Sequence, residues 1–171
     1  LFRQSDTQIL AGYSDYPALL DEEIVEKIER CIYALSEVLT FKGPRRVILS
    51  GAGTSGRLST YVCREYNRRL AAYGHDPVFR PLMAGGPLAL IVAQEGAEDD
   101  PIQAVEDLKG ILGDAELVLL FGVTCGFSAP YIAGQLEYCM DHEGMTGVLL
   151  GFNPVERARR ANVENWDKTF G

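Results

Sequence analysis

No stretch of this sequence is apolar for anything near the roughly 20 residues that a bilayer-crossing helix requires, and no signal-peptide pattern opens it. Positive charge is in short supply: 24 acidic residues stand against 16 Lys and Arg, a net charge of −8. That balance argues against nucleic acid and anionic membrane as partners, since both demand a basic surface. Repeats and biased tracts are absent, which argues against disorder. Cysteine is scarce, and Cys31, Cys63, Cys125 and Cys139 are too far apart to form a CxxC redox pair or a zinc knuckle. Each lies in or beside an apolar segment, so all four are expected as buried free thiols in a reducing, intracellular compartment. Neither a metal site nor a cofactor is expected. His75 and His142 sit among polar loop residues, where exposure is the expectation.

What is present suits one domain, or most of a larger one: 171 residues, of which 47% are hydrophobic. Ile24, Ile28, Cys31, Ile32, Leu35 and Val38 recur at helical spacing, so residues 21–39 read as a helix led by Asp21, Glu22 and Glu23 and ended by Lys42-Gly43-Pro44. Arg46 to Ser50 is short, branched and apolar at consecutive positions, the mark of a strand covered on both faces. A helix follows from Leu58 to Tyr73, then a strand from Val78 to Met83 and a short helical stretch from Leu88 to Gln94. A helix from Asp99 to Leu112 has Pro101 in its first turn and Gly113 past its end. Glu116 to Gly122 is the clearest buried strand, followed by a helix from Ala129 to His142 and a strand from Thr146 to Gly151. Strand, loop and helix in alternation give an α/β fold: a three-layer sandwich around a parallel, doubly wound sheet of flavodoxin-like or Rossmann-like kind. Residues 1–171 contain no evident linker, and 1–42 read as a helical extension ahead of the sheet.

Ligands of such sheets bind at the carboxyl ends of the strands, where strand order reverses. Ser50-Gly51-Ala52-Gly53-Thr54-Ser55-Gly56-Arg57 ends one strand, and Gly122-Val123-Thr124-Cys125-Gly126-Phe127-Ser128 ends another. Glycine lets backbone approach a phosphate, and the free N–H groups of a helix start bind its oxygens. Thr54, Ser55, Thr124 and Ser128 add hydroxyls to that cradle. The nucleoside-triphosphate signature Gly-x-x-x-x-Gly-Lys-Ser/Thr is absent. Gly51 to Gly56 does match G-x-G-x-x-G, but no acidic residue follows a second strand as ribose binding requires. Glycines that serve only a tight turn remain an alternative. The acidic run Glu95 to Asp100 reads as a helix N-terminus capped by Asp99 or Asp100, or as a source of one pocket carboxylate, Glu98. Glu65 reads either as a solvated helix residue or as a second carboxylate.

The runs Ser50 to Leu58, Ala84-Gly85-Gly86 and Glu95 to Asp99, in that order and spacing, resemble the SIS (sugar isomerase) domains shared by bacterial N-acetylmuramic acid 6-phosphate etherase and the glucokinase regulatory protein. The likeness covers Leu10 to Gly171. Gly122 to Pro130, Gly151-Phe152-Asn153-Pro154-Val155, Trp166 and Thr169-Phe170 look like the regulatory type. The resemblance implies that Thr54, Ser55, Thr124 and Ser128 contact a phosphate and Glu98 the sugar, within a binding set that includes Ser50, Gly53 and Arg57. It implies a hexose or fructose phosphate as ligand and a glucokinase-like enzyme as partner. Pairing is implied too, either as a homodimer or with a second SIS unit, in a longer chain of cytoplasmic or nuclear location. Glu65 and Glu98 match the acid and base of the etherase, so the same resemblance leaves open a carbon–oxygen lyase. An aldose–ketose isomerase is disfavoured, because no histidine lies near the loops in sequence.

Overall fold

The computed structural model describes residues 7, 8, 10–13, 16–153 and 158. Pro154, Val155, Trp166, Thr169 and Phe170 lie outside the described residues. Contacts group the chain into two compact units, Leu1–Glu37 and Val38–Gly171. In the first unit the Asp21 carboxylate accepts the Ala18 N–H at 2.8 Å. Helix α1 (Glu22–Thr40) follows, with Glu22 and Glu23 in its first turn, where negative charge meets the positive end of the dipole. Its apolar stripe has the expected period, yet Ile28 and Ile32 are exposed and only Val38 is buried.

Among the described residues the second unit holds a parallel sheet of four strands in the order β2-β1-β3-β4. These are β1 (Arg45–Gly51), β2 (Phe79–Met83), β3 (Leu117–Val123) and β4 (Met145–Leu150). Helix α2 (Gly53–Ala72) joins β1 to β2, α3 (Pro101–Leu112) joins β2 to β3, and α4 (Pro130–Met140) joins β3 to β4. Side chains alternate across a strand. Ile48, Val118 and Leu120 therefore share one core with Ala104 and Leu108 of α3 and with Tyr131, Ile132 and Cys139 of α4. Val47, Leu49 and Gly51 face the other way, where the Cys63 thiol of α2 meets the Leu49 backbone and Gly51 meets Gly56. The sheet is thus covered on both faces and doubly wound, as its unbroken apolar runs require.

Element ends moved where local chemistry outranked periodicity. Helix α2 starts at Gly53 rather than Leu58, so the glycine loop is itself the first helical turn. The stretch read as helical from Leu88 is a 3-10 turn, Pro87–Leu90, and a second one spans Ala97–Asp99. Asp100 is the cap of α3, accepting N–H bonds from Ile102 at 3.0 Å and Gln103 at 2.8 Å. On the open edge of β2 the Asn67 side chain takes the Phe79 N–H at 3.0 Å and its carbonyl at 2.8 Å, and Pro81 has no N–H to offer. That edge is closed to a further strand.

Candidate functional site

The strand order reverses at β1: the chain leaves it for β2 on one side and returns on the other as β3. The crevice that such a reversal opens lies between the loops that follow β1 and β3. The first of these is made by a very close turn. A Cβ on Gly56 would stand 2.7 Å from the Gly51 carbonyl oxygen, and one on Gly51 would stand 2.7 Å from the Gly56 nitrogen. Only glycine at both positions lets α2 begin immediately after the strand. Gly53 differs: it has φ +51°, and a Cβ there would meet nothing within 4 Å. Turn-making thus accounts for Gly51 and Gly56, and open space remains in front of Gly53.

The Gly56 N–H bonds to the Ala52 carbonyl at 3.2 Å, the first rung of α2. Gly53, Thr54 and Ser55 precede that rung, so the helix offers their N–H groups no carbonyl. The cap residue is Ala52, whose side chain cannot accept them. Donors converging at the positive end of a helix dipole form an anion site. Thr54 is exposed and Ser55 half-buried beside them.

Across the crevice, Thr124 is buried and its N–H donates to the Leu150 carbonyl at 2.9 Å. Ser128 is exposed at the end of the same loop. A Cβ on Gly126 would lie 3.4 Å from the Ser128 Oγ and 3.6 Å from the Asn153 Nδ2, so both polar groups border the Gly126 backbone. The loop stands on a firm base, because the next turn, at the start of α4, is tied to α3. The buried Tyr131 hydroxyl donates to Asp107 Oδ2 at 2.7 Å. Burial and that carboxylate push the phenol far above its usual range.

Glu98 is exposed on the Ala97–Asp99 turn, which packs beside α4, while Ala97 and Ala52 rest on the same core. The structure therefore brings Gly53, Thr54, Ser55, Thr124, Ser128 and Glu98 to the carboxyl end of the sheet. The remaining candidates lie elsewhere. Ser50 is fully buried on the α3–α4 face, and its hydroxyl has no partner among the described residues. Strand alternation sets it beneath the loop rather than in it. The Arg57 guanidinium turns away to the carbonyls of Ala89 at 3.1 Å and Leu90 at 3.4 Å, so it staples the turn after β2. Glu65 is twelve residues into α2, about 18 Å along the axis from Gly53. It is near Asn67, which grips the first residue of β2, and it pairs with Arg68 at 3.0 Å. Within one chain Glu65 and Glu98 stand toward opposite ends of the sheet.

Two residues of this region escape sequence reasoning. Phe127 has φ +50° and is the only non-glycine among the described residues with positive φ. No periodicity announces such a position. Cys125, expected buried, is exposed, because its apolar neighbours belong to a loop and not to the strand. Cys31 is half-buried, while Cys63 and Cys139 are buried as expected. Burial pushes the Cys63 thiol up to about 11 and Cys139 to about 12. Because the thiolate is the nucleophile, a thiol reagent at pH 8 is expected to modify Cys125 first and to spare Cys63 and Cys139 until the chain unfolds. Peptide mass spectrometry after brief labelling reads this directly, and native-state labelling of Cys63 ahead of Cys125 would contradict it.

His75 and His142 are exposed, as expected, and the His142 ring stacks on Tyr138 with centroids 3.7 Å apart. Among the described residues no cluster of His, Cys, Asp and Glu is arranged to hold a metal ion. No described helix is long and apolar enough to cross a membrane.

Comparison with known proteins agrees with this architecture. The human glucokinase regulatory protein is 34% identical over 175 residues, covering 99% of this chain and 28% of that protein. The Xenopus laevis regulatory protein is 34% identical, covering 99% of this chain and 27% of its own length. The N-acetylmuramic acid 6-phosphate etherase of Clostridium botulinum (strain Eklund 17B / Type B) is 37% identical over 142 residues, 82% of this chain and 45% of the enzyme. The chain thus spans well under a third of the regulatory proteins it matches. The family model described as the glucokinase regulatory protein N-terminal SIS domain matches residues 23–140, and the chain belongs to that family.

Proposed function

We propose that this chain is a phosphosugar-binding SIS domain of the glucokinase-regulatory type, which takes a hexose or fructose phosphate in the crevice between the Gly51–Gly56 and Thr124–Ser128 loops. The observation that carries the reading is the start of α2. There the N–H groups of Gly53, Thr54 and Ser55 lack helical acceptors and face open space at Gly53. A phosphate fits those donors, and Glu98 on the neighbouring turn accepts from sugar hydroxyls. In the whole protein, occupancy of this crevice controls a glucokinase-like partner, in the cytoplasm or nucleus, with a second SIS unit or a second copy alongside. Calorimetry with fructose 6-phosphate, fructose 1-phosphate and N-acetylmuramic acid 6-phosphate tests the reading. Saturable binding of a fructose phosphate is expected, and failure of all three to bind removes it.

A lyase is the second reading, favoured by the presence of both etherase-type carboxylates and by the etherase relatives. Glu98 would take the proton beside the lactyl carboxylate and Glu65 would protonate the departing oxygen. With Glu65 and Glu98 toward opposite ends of the sheet, that division of labour requires a pocket shared between two chains. Lactate release from N-acetylmuramic acid 6-phosphate, abolished by Glu65→Gln, is the outcome this second reading expects. Its absence in the wild type leaves binding as the function.

A further inference from the structure

Phe127 occupies a backbone conformation that L side chains rarely adopt, and for a bulky residue a positive φ is a genuine outlier. Such strain persists only where the surroundings over-determine it. Here they do. The Phe127 side chain is buried, and its N–H donates to the Thr124 carbonyl at 3.4 Å, folding the loop back on itself. Its ring lies under the chain leaving β4: a Cβ on Gly151 would stand 2.3 Å from Phe127 Cε1 and 2.5 Å from the Thr124 carbonyl oxygen. Two backbone bonds close the same joint, Thr124 N–H to the Leu150 carbonyl at 2.9 Å and Phe152 N–H to the Cys125 carbonyl at 3.1 Å. The loop that carries Thr124 and Ser128 is therefore locked from below by one aromatic ring that a glycine admits.

We propose that Phe127 is a positioning residue of the anion site: wedged against Gly151, it holds the Thr124–Ser128 loop in the shape that presents the Ser128 hydroxyl to the ligand. The proposal rests on the phosphosugar reading above. Its physical basis is pre-organisation, since a loop ordered before binding spares the ligand the entropy of ordering it. A packing role alone would lower stability without changing what Ser128 contributes. Positioning makes the two side chains act as one unit, which a double-mutant cycle detects.

The test measures fructose 6-phosphate affinity of the full chain by calorimetry for the wild type, Ser128→Ala, Phe127→Ala and the double variant. Ser128→Ala is expected to weaken binding about tenfold in the wild type but less than twofold once Phe127 is Ala. Phe127→Leu, which keeps an apolar side chain under Gly151, retains affinity within about threefold. Phe127→Gly, which removes the ring and tolerates the positive φ, reproduces the loss of coupling and serves if Phe127→Ala fails to fold. An equal Ser128→Ala factor in both backgrounds overturns the positioning role and leaves phosphosugar binding intact. A wild-type chain that binds no phosphosugar overturns both.

Discussion

Gly56→Val should destabilise the domain by about 3 kcal/mol and remove measurable phosphosugar binding with it. The added atoms have nowhere to go, because a Cβ at this position already lies 2.7 Å from the Gly51 carbonyl oxygen and 2.8 Å from Met83 Cγ. Met83 can swing aside, but a strand carbonyl cannot. Relief has to come from lifting the first turn of α2, which breaks the 3.2 Å bond from the Gly56 N–H to Ala52 and scatters the donors ahead of it. Gly53→Ala is the matched contrast. Its Cβ meets nothing within 4 Å, so the cost is confined to the left-handed φ of +51°, about 1 kcal/mol. Urea denaturation of both variants separates a packing glycine from an open one. Equal stabilities would contradict the close turn on which the site is built.

Thr54→Asp is expected to move stability and binding in opposite directions. Position 54 is exposed in the first turn of α2, where a carboxylate is favourable to the helix dipole by about 0.5 kcal/mol. On the proposed reading the same carboxylate occupies the phosphate position and repels the ligand. Affinity for fructose 6-phosphate should fall at least about a hundredfold, roughly 2.7 kcal/mol. Thr54→Val keeps the shape, loses only the hydroxyl and should cost about 1 kcal/mol of binding. Thermal unfolding and calorimetry on the three proteins give both signs. A Thr54→Asp variant that binds like the wild type would place the phosphate somewhere else.

Much of the fold was legible because burial on both faces leaves its mark on composition. Val47, Ile48 and Leu49, like Val118, Leu119 and Leu120, are consecutive apolar residues, as a strand covered on both faces of a parallel sheet requires. The structure pairs the two segments as parallel neighbours, with Val47 opposite Leu119. Helix starts were harder. Gly53, Thr54, Ser55 and Gly56 are weak helix formers, so the periodic signal began at Leu58, although the helix begins inside the loop. The close turn between β1 and α2 could be read from the glycine spacing, since Gly51 and Gly56 leave no room for a Cβ. Side-chain destinations could not. Nothing in one dimension tells that Arg57 turns to Ala89, that Ser50 falls on the buried face of β1, or that α2 carries Glu65 toward the far end of the sheet. Phe127 was invisible for the same reason, because its partner Gly151 comes from another strand end.

Whether the crevice at the strand-order reversal holds a sugar phosphate can be read by following backbone amide signals by NMR while fructose 6-phosphate is added. Saturable shifts are expected at Gly53, Thr54, Ser55 and residues 124–128, and they should be lost in Thr54→Asp. Absence of shifts in both loops at millimolar ligand, or shifts gathered instead on the outer faces of α3 and α4, would contradict it.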